Sequence, residues 1–412
     1  MNNIKTYKSI LLTFTIVLLF TLSVATQNIK GQTSTGSWRF SIQTNTVYST
    51  YETIAFSADD TYLASGYLDK VYLFNKSSSI PLWTGTVDGR VNTVAISGNG
   101  SYVVVGVDLQ KIYLFNNTGS EIWQYEITTG GFHSVSISFD GKYIVGGCGD
   151  NKVYLFNNTS PTPLWNYTTG GYINSAKISA DGNYIAVGSE DHSLYLFNRS
   201  SLSLMWSYPT GGHIYDVAIT PVGSYIVAGS LDNTIYFFNL TSSTPLWTNI
   251  TNGYVQKVDI SDDGTYIVAN GGSKLYLLNK SSAMPLWTYE TENDVEDVAI
   301  SADGKFIVLG MQDGTLDNTV LIFNDTSPLS SPNPIVSLSQ SAQIDCVDIT
   351  SNGDYFTVQL PRSITLYDRY DLTLPSPPSP QLISFYIIPG FMFSLFIIAY
   401  IYTKIMKQNH NS

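Results

Sequence analysis

The sequence predicts an all-β chain, a closed ring of eight four-stranded antiparallel sheets, and three observations predict it. First, Phe74, Phe115, Phe156, Phe197 and Phe238 each precede an Asn and lie 41 residues apart, and Leu278, Phe323 and Tyr367 continue the series at spacings of 40, 45 and 44. Recurrence of strand-like units at about 20–50 residues means stacked repeats. Second, each period holds four short runs rich in Ile, Val, Tyr and Phe, such as INSAKIS, NYIAVGS, SLYLFN and LMWSY in the segment Ile173 to Thr210. Turn residues separate the runs, so they read as strands. Third, no stretch between Trp38 and Tyr367 carries helical periodicity.

The elements follow in order. MNNIKTYKSILLTFTIVLLFTLSVATQ places Lys5 and Lys8 before a long apolar run with small residues at its end. This predicts a secretory signal over residues 1–25 cut after Ala25, with an uncleaved anchor as the alternative. After a short linker, 26–35, comes GSWRFSIQ, Gly36 to Gln43, an outer strand with no unit of its own. The repeat units begin near Glu52, Asn92, His133, Asn174, Tyr215, Gln256, Glu296 and Asp345. Asp140-Gly141, Asp181-Gly182, Asp263-Gly264 and Asp303-Gly304 mark the first turn of their units, where Gly supplies positive φ. An insertion, Gly310 to Val320, stretches the seventh unit, whose outer strand is the degenerate NPIVSLSQ, Asn333 to Gln340. No outer strand follows the eighth unit, so the N-terminal strand is expected to complete it and lock the ring over 36–368. Seven units are the alternative if the Cys346 unit packs differently. A Pro-rich linker, 369–381, leads into LISFYIIPGFMFSLFIIAYIY, Leu382 to Tyr402, which has no charge and the length a membrane helix needs, roughly 20 residues. Lys404 and Lys407 follow, which predicts a cytoplasmic tail, 403–412.

The first three strands of a unit, as in VEDVAISADGKFIVLG with TVLIFN, resemble WD repeats, with Phe-Asn where that family has Trp-Asp. The turn and fourth strand resemble the repeats of the quinoprotein family, which run Asp, two residues, Thr-Gly, three residues, Trp. Asn157 to Trp165 and Asn239 to Trp247 keep the Asn-to-Trp spacing of eight, and Thr118-Gly119 survives before Trp123. Both resemblances imply a β-propeller with each unit as one blade. Trp38, Trp83, Trp123, Trp165, Trp206, Trp247 and Trp287 are then expected to be apolar plates docked between blades.

The quinoprotein resemblance also implies a possible quinone enzyme, with an acidic base and a calcium ion over the central channel. The residues offer little for it. The connecting turns are short, no adjacent cysteine pair exists, and no carboxylate cluster stands out. Asp313, Asp317 and Asn318 match no established calcium-loop spacing. His133, His192 and His213 fall on separate blades and His410 in the tail. We therefore expect no enzyme, no cofactor and no metal site, with a quinoprotein-like oxidoreductase or a purely structural envelope protein as alternatives. Cys148 and Cys346 lie too far apart in the repeat order for a bridge and read as buried hydrophobes. A net charge of −12 with 13% charged residues argues against nucleic acid.

In an exported chain, Asn75, Asn99, Asn116, Asn157, Asn158, Asn166, Asn198, Asn239, Asn249, Asn279 and Asn324 are candidate glycosylation sequons. Most fall in turns between the third and fourth strands, which share one face with the Asn99 turn, and Asn capping of a tight turn explains them equally. The last strand ends near Asp368 on that face and leads to the membrane segment, so the opposite face is expected to be membrane-distal. There the turns entering each inner strand carry Arg90, Gly131, Tyr172, His213, Tyr254, Asp294 and Gln343, which vary from blade to blade. Arg90, Tyr172, His213, Tyr254 and Asp294 are the candidate contacts for a protein, glycan or envelope ligand. Asp69, Asp108, Asp150, Asp191, Asp232 and Asp313 recur between second and third strands and read as turn caps.

Overall fold

A computed structural model of the chain describes residues 36–42, 54–200, 203–291, 293–312, 318–324, 332–340 and 342–373. The chain divides into two units, Met1–Thr373 and Leu374–Ser412, and the described residues all belong to the first.

These residues form eight sheets, each of four antiparallel strands. Seven run in simple sequence order. Blade 1, for example, is Ile54–Phe56, Tyr62–Tyr67, Lys70–Asn75 and Trp83–Thr86, innermost to outermost. The eighth joins the chain ends. Cys346–Ile349, Tyr355–Leu360 and Ser363–Asp368 supply its first three strands, and the N-terminal Trp38–Ser41 pairs outside them. Its register runs from Trp38 opposite Leu366 to Ser41 opposite Ser363. The Cys346 unit is thus a full blade, which excludes the seven-blade alternative. Val336–Gln340 forms the outer strand of blade 7.

Each blade buries its two faces against its neighbours, because no sheet here has enough apolar area on one side to fold alone. The apolar clusters accordingly span blade pairs. One joins Leu63, Tyr67 and Phe74 of blade 1 to Cys346 and Ile364 of blade 8, with Trp38 and Phe40 packed beside them. The outer tryptophans occupy equivalent places. The Trp83, Trp123, Trp165, Trp206 and Trp287 rings lie 5.3–5.7 Å from Phe115, Phe156, Phe197, Phe238 and Phe323 of the next blade. Trp247 differs, its ring stacking at 4.8 Å on Phe237 of the adjacent third strand in its own blade. Trp38 lies 5.1 Å from Phe74, and its Nε1 donates to the Lys76 carbonyl at 2.7 Å, so the same contact closes the ring.

 Trp247 itself stands on the outer strand of blade 5. Blade 6, which follows, offers Leu278 instead of a ring, so the aromatic partner of Trp247 is Phe237 on the adjacent third strand of blade 5.

The Asp-Gly turns are longer than a two-residue hairpin. In blade 3, Asp140 Oδ1 accepts from Ser138 Oγ and Lys142 N, and Gly141 alone takes positive φ, at 73°. A Cβ on Gly141 would also strike the Tyr102 ring of blade 2, so this glycine serves both the turn and the blade contact.

Past the last strand, residues Arg369–Thr373 form a short helix where the sequence suggested the start of the linker. Arg369 holds it down: its guanidinium lies 4.0 Å over the Phe306 ring and its Nε donates to the Gly353 carbonyl. Among the described residues no helix is long and apolar enough to cross a membrane. The signal expected at 1–25 and the span expected at 382–402 lie outside the described residues, as do Asp313 and Asp317.

Candidate functional site: the rim and the channel mouth

The rim face is built from the turns between second and third strands and the loops that enter each inner strand. Three consecutive loops share one design. Thr169, Thr210 and Thr251 each direct Oγ1 at two carbonyls that share its one proton: one in the second-to-third-strand turn of the preceding blade (Asn151, His192, Asn233), and one two residues on (Gly171, Gly212, Gly253). Asp191 and Asp232 then accept from the Gly170 and Gly211 amides and from the Tyr195 and Tyr236 hydroxyls. Glycine is required, since a Cβ on Gly171 or Gly212 would come within 2.6 or 2.7 Å of the Asp191 or Asp232 amide nitrogen. The aspartates therefore do more than cap their own turns: they clamp the loop that leads into their blade.

Each clamp ends on a candidate residue. Tyr172 and Tyr254 project with 50% and 59% exposure. His213 is half-buried, its ring 4.8 Å from His192 in an edge-on contact. The sequence placed these histidines on separate blades, and adjacent clamped loops bring them together. Arg90 is bound differently: its amide donates to Asp108 Oδ1 at 2.7 Å, and its Nε lies 3.8 Å from Asp108 Oδ2. Asp294 is exposed and accepts from Ser273 Oγ at 3.5 Å. The geometry thus groups Tyr172, His213 and Tyr254 on successive loops, with Asp294 on the next loop, into blade 7, and Arg90 two loops before Tyr172, at blade 2.

Below the rim runs the central channel, a space of about 330 Å³ lined by the inner strands. No carboxylate cluster stood out, yet Asp216, Asp259, Asp297 and Asp348 from blades 5 to 8 share the channel with Lys177, and Lys257 lies 3.6 Å from Asp297. Aligning the inner strands residue by residue shows them, because each stands two or four residues before the Ser or Thr that follows its strand: Thr220, Ser261, Ser301 and Thr350. They also stitch the ring. Oδ2 of Asp216, Asp259, Asp297 and Asp348 accepts from the amides of Val258, Ile300, Val347 and Phe56 on the next blade. Thr93, Ser134 and Ser175 do the same for blades 3 to 5 with hydroxyls.

Channel water can reach Asp259 and Asp348, but protein surrounds them, and desolvation pushes both up to about 7 against the lowering effect of their backbone hydrogen bonds. Nearby carboxylates add to the rise, Asp348 and Asp216 for Asp259, and Asp297 for Asp348, while Lys177 opposes it at Asp348.

On the opposite face, Asn75, Asn116, Asn157, Asn198, Asn239 and Asn279 each accept, through Oδ1, the amide of the residue two places on. This is the turn cap that the Asn residue type favours. Asn249 is different, its Nδ2 donating to the Ala283 carbonyl of the next blade. Cys148 and Cys346 are buried and form no disulfide with each other.

Fold and site define the class: an eight-bladed propeller of the PQQ-like and WD-like repeat kind, a scaffold that presents side chains around a rim. The pattern of the PQQ_2 family, described as outer membrane protein assembly factor BamB, matches residues 29–249, more than half of the sequence, and the chain belongs to that family. No curated protein matches. Among solved structures, the C-terminal WD40 domain of Sif2 is similar with a TM-score of 0.67 at 14% identity, covering 82% of this chain and 99% of that one. A chain of the mitotic checkpoint complex is similar at 0.57 and 17% identity, covering 67% and 88%. At such identities the likeness is one of fold.

A quinone of the quinoprotein type carries several carboxylates, and the channel mouth does not fit it. Arg90 is already opposed by Asp108, and the Asp216 and Asp297 carboxylates line the approach. No group of three or more metal-ligating side chains is found among the described residues.

Proposed function

We propose that the protein is a non-enzymatic recognition scaffold held outside the cytoplasmic membrane by a C-terminal span, binding a protein, glycan or envelope component through its membrane-distal rim. One observation carries the reading: three successive loops, each fixed by the same Thr and Gly clamp, present Tyr172, His213 and Tyr254 side by side on the rim. A rigid frame lowers the ordering cost of binding, and exposed tyrosines supply contact area at little loss of freedom. The family description, an outer membrane protein assembly factor, names a protein that works with other envelope proteins, which supports a protein partner here. Sequons on the opposite face leave the rim clear of any attached glycan.

The test is affinity capture of surface components with the purified ectodomain, residues 26–380. Recovery of a saturable partner supports the scaffold. An absorption spectrum taken before and after adding quinone and calcium tests the rival oxidoreductase reading. A new quinone band with dye-linked turnover would overturn the non-enzymatic assignment.

A further inference from the structure

On the rim face over blades 2 to 5, sharing Asp216 with the channel, lies a recess of about 290 Å³ lined by Arg90, Asn92, His133, Asn174, Tyr215 and Asp216, among others. Its buried amide, Asn92, serves none of the roles above. Asn92 is 6% exposed and spends its Nδ2 on the Phe132 carbonyl at 3.3 Å, while its Oδ1 is shielded from bulk water and accepts no hydrogen bond. A buried acceptor without a donor is costly, which marks the spot as incomplete. Asn174, its counterpart two blades on, likewise spends Nδ2 on the Ile214 carbonyl.

We propose that this recess binds one neutral sugar ring, a hexose or N-acetylhexosamine, free or at the end of a glycan. Charge decides against ionic ligands. Arg90 is balanced by Asp108, so an added anion meets a guanidinium already opposed and the Asp216 carboxylate below it. An ammonium group gains little, because Asp216 already accepts from Ser175 Oγ, Val217 N and Val258 N. Sugar hydroxyls both donate and accept, and so match an amide oxygen lacking a donor beside guanidinium N–H groups. Tyr215, 38% exposed, offers the ring face against which the apolar side of a pyranose packs. The volume sits at the lower edge of the roughly 300–1,000 Å³ usual for ligand pockets, which suits one ring and not a long chain.

This inference rests on the rim being the recognition face, but it uses different residues from Tyr172, His213 and Tyr254, so the two fail separately. The experiment is saturation-transfer NMR on the full-length protein with glucose, galactose, mannose and N-acetylglucosamine, alongside cadaverine and succinate. At least one sugar should show transfer to its ring protons, with a Kd on the order of 1 mM. Tyr215→Ala should abolish the signal. Asn92→Leu should weaken binding about tenfold, the loss of one hydrogen bond to a shielded acceptor. Asn157→Gln, on the other face, should leave it intact. Should Asn92→Leu fail to fold, the exposed Tyr215 variant decides alone. The inference is overturned if no sugar shows transfer, if the signal survives Tyr215→Ala, or if cadaverine or succinate binds in place of the sugars. Sugar signals that persist in a Tyr172, His213 and Tyr254 variant unable to capture its partner would keep the two sites distinct.

Discussion

Trp38→Ala tests how the ring is closed. The indole lies 5.1 Å from Phe74 and donates to the Lys76 carbonyl at 2.7 Å, both across the junction of blades 8 and 1. Truncating a fully buried Trp costs ~3–5 kcal/mol. Trp38 is half-buried, which brings the packing loss to about 2–3 kcal/mol, and the hydrogen bond adds about 1 kcal/mol. An unfolding entropy of about 2.1 cal/mol/K per residue over roughly 330 residues gives about 0.7 kcal/mol/K, so the melting temperature should fall by about 5 °C. Deleting residues 36–42 removes more: the ladder to Ser363–Asp368 and the Phe40 contacts with Tyr72 and Phe74 go as well. It should lower the melting temperature further and, by baring the Ser363–Asp368 edge, produce oligomers. Scanning calorimetry with size-exclusion chromatography reads both. Unchanged melting in the deletion variant would refute closure by the N-terminal strand.

The channel, the blade turns, the clamp and the chain ends each carry a further expectation. Asp259 and Asp348 titrate near 7 in the folded state against a carboxylate reference of 3.8, so the stability they lend is complete below about pH 4 and is lost as pH rises through about 7; the melting temperature should fall between pH 5 and 8, and an Asp259→Asn, Asp348→Asn double variant should flatten that slope, whereas an unchanged slope would assign it to other groups. Asp140, Asp181, Asp263 and Asp303 are held below the usual carboxylate range by side-chain and backbone hydrogen bonds despite opposing desolvation, and their contribution is lost only on stronger acidification. Thr210→Val removes the hydroxyl's contacts to the His192 and Gly212 carbonyls at nearly constant volume while keeping the backbone bonds of the loop, and should cost about 1–2 kcal/mol and speed amide exchange there; exchange at the parent rate would show that the hydroxyl is not what holds it. Protease added to intact cells should digest or release the propeller and leave a membrane-bound C-terminal stub, while protection until lysis would contradict an exposed propeller.

The blade count and closure were legible because they are written in spacing. A 41-residue period and an unpartnered GSWRFSIQ leave one way to complete blade 8. The Asp-Gly turns and outer tryptophans are local signals repeated until chance is excluded. The channel is another matter. Asp216, Asp259, Asp297 and Asp348 are single residues in otherwise ordinary Val- and Ile-rich strands, about 40 residues or more apart, and only the curvature of the ring brings them together. The Thr clamp went unread for a related reason, since a Thr two residues before Gly looks like any turn until its two carbonyl partners are placed. Asn92 carries no sequence signal at all, because its meaning lies in a donor that is missing.

The central claim is that the clamped rim recognises a partner. The direct measurement is partner binding by the ectodomain carrying Tyr172→Ala, His213→Ala and Tyr254→Ala, with circular dichroism and melting as the control. Exposed turn substitutions change stability by about ±0.5 kcal/mol, so the fold should survive. The account predicts that binding is lost in this variant and kept when three turn asparagines of the opposite face, Asn75, Asn157 and Asn239, become Gln. Full binding by the rim variant, or loss of binding in the folded asparagine variant, would contradict it and move recognition to the other face.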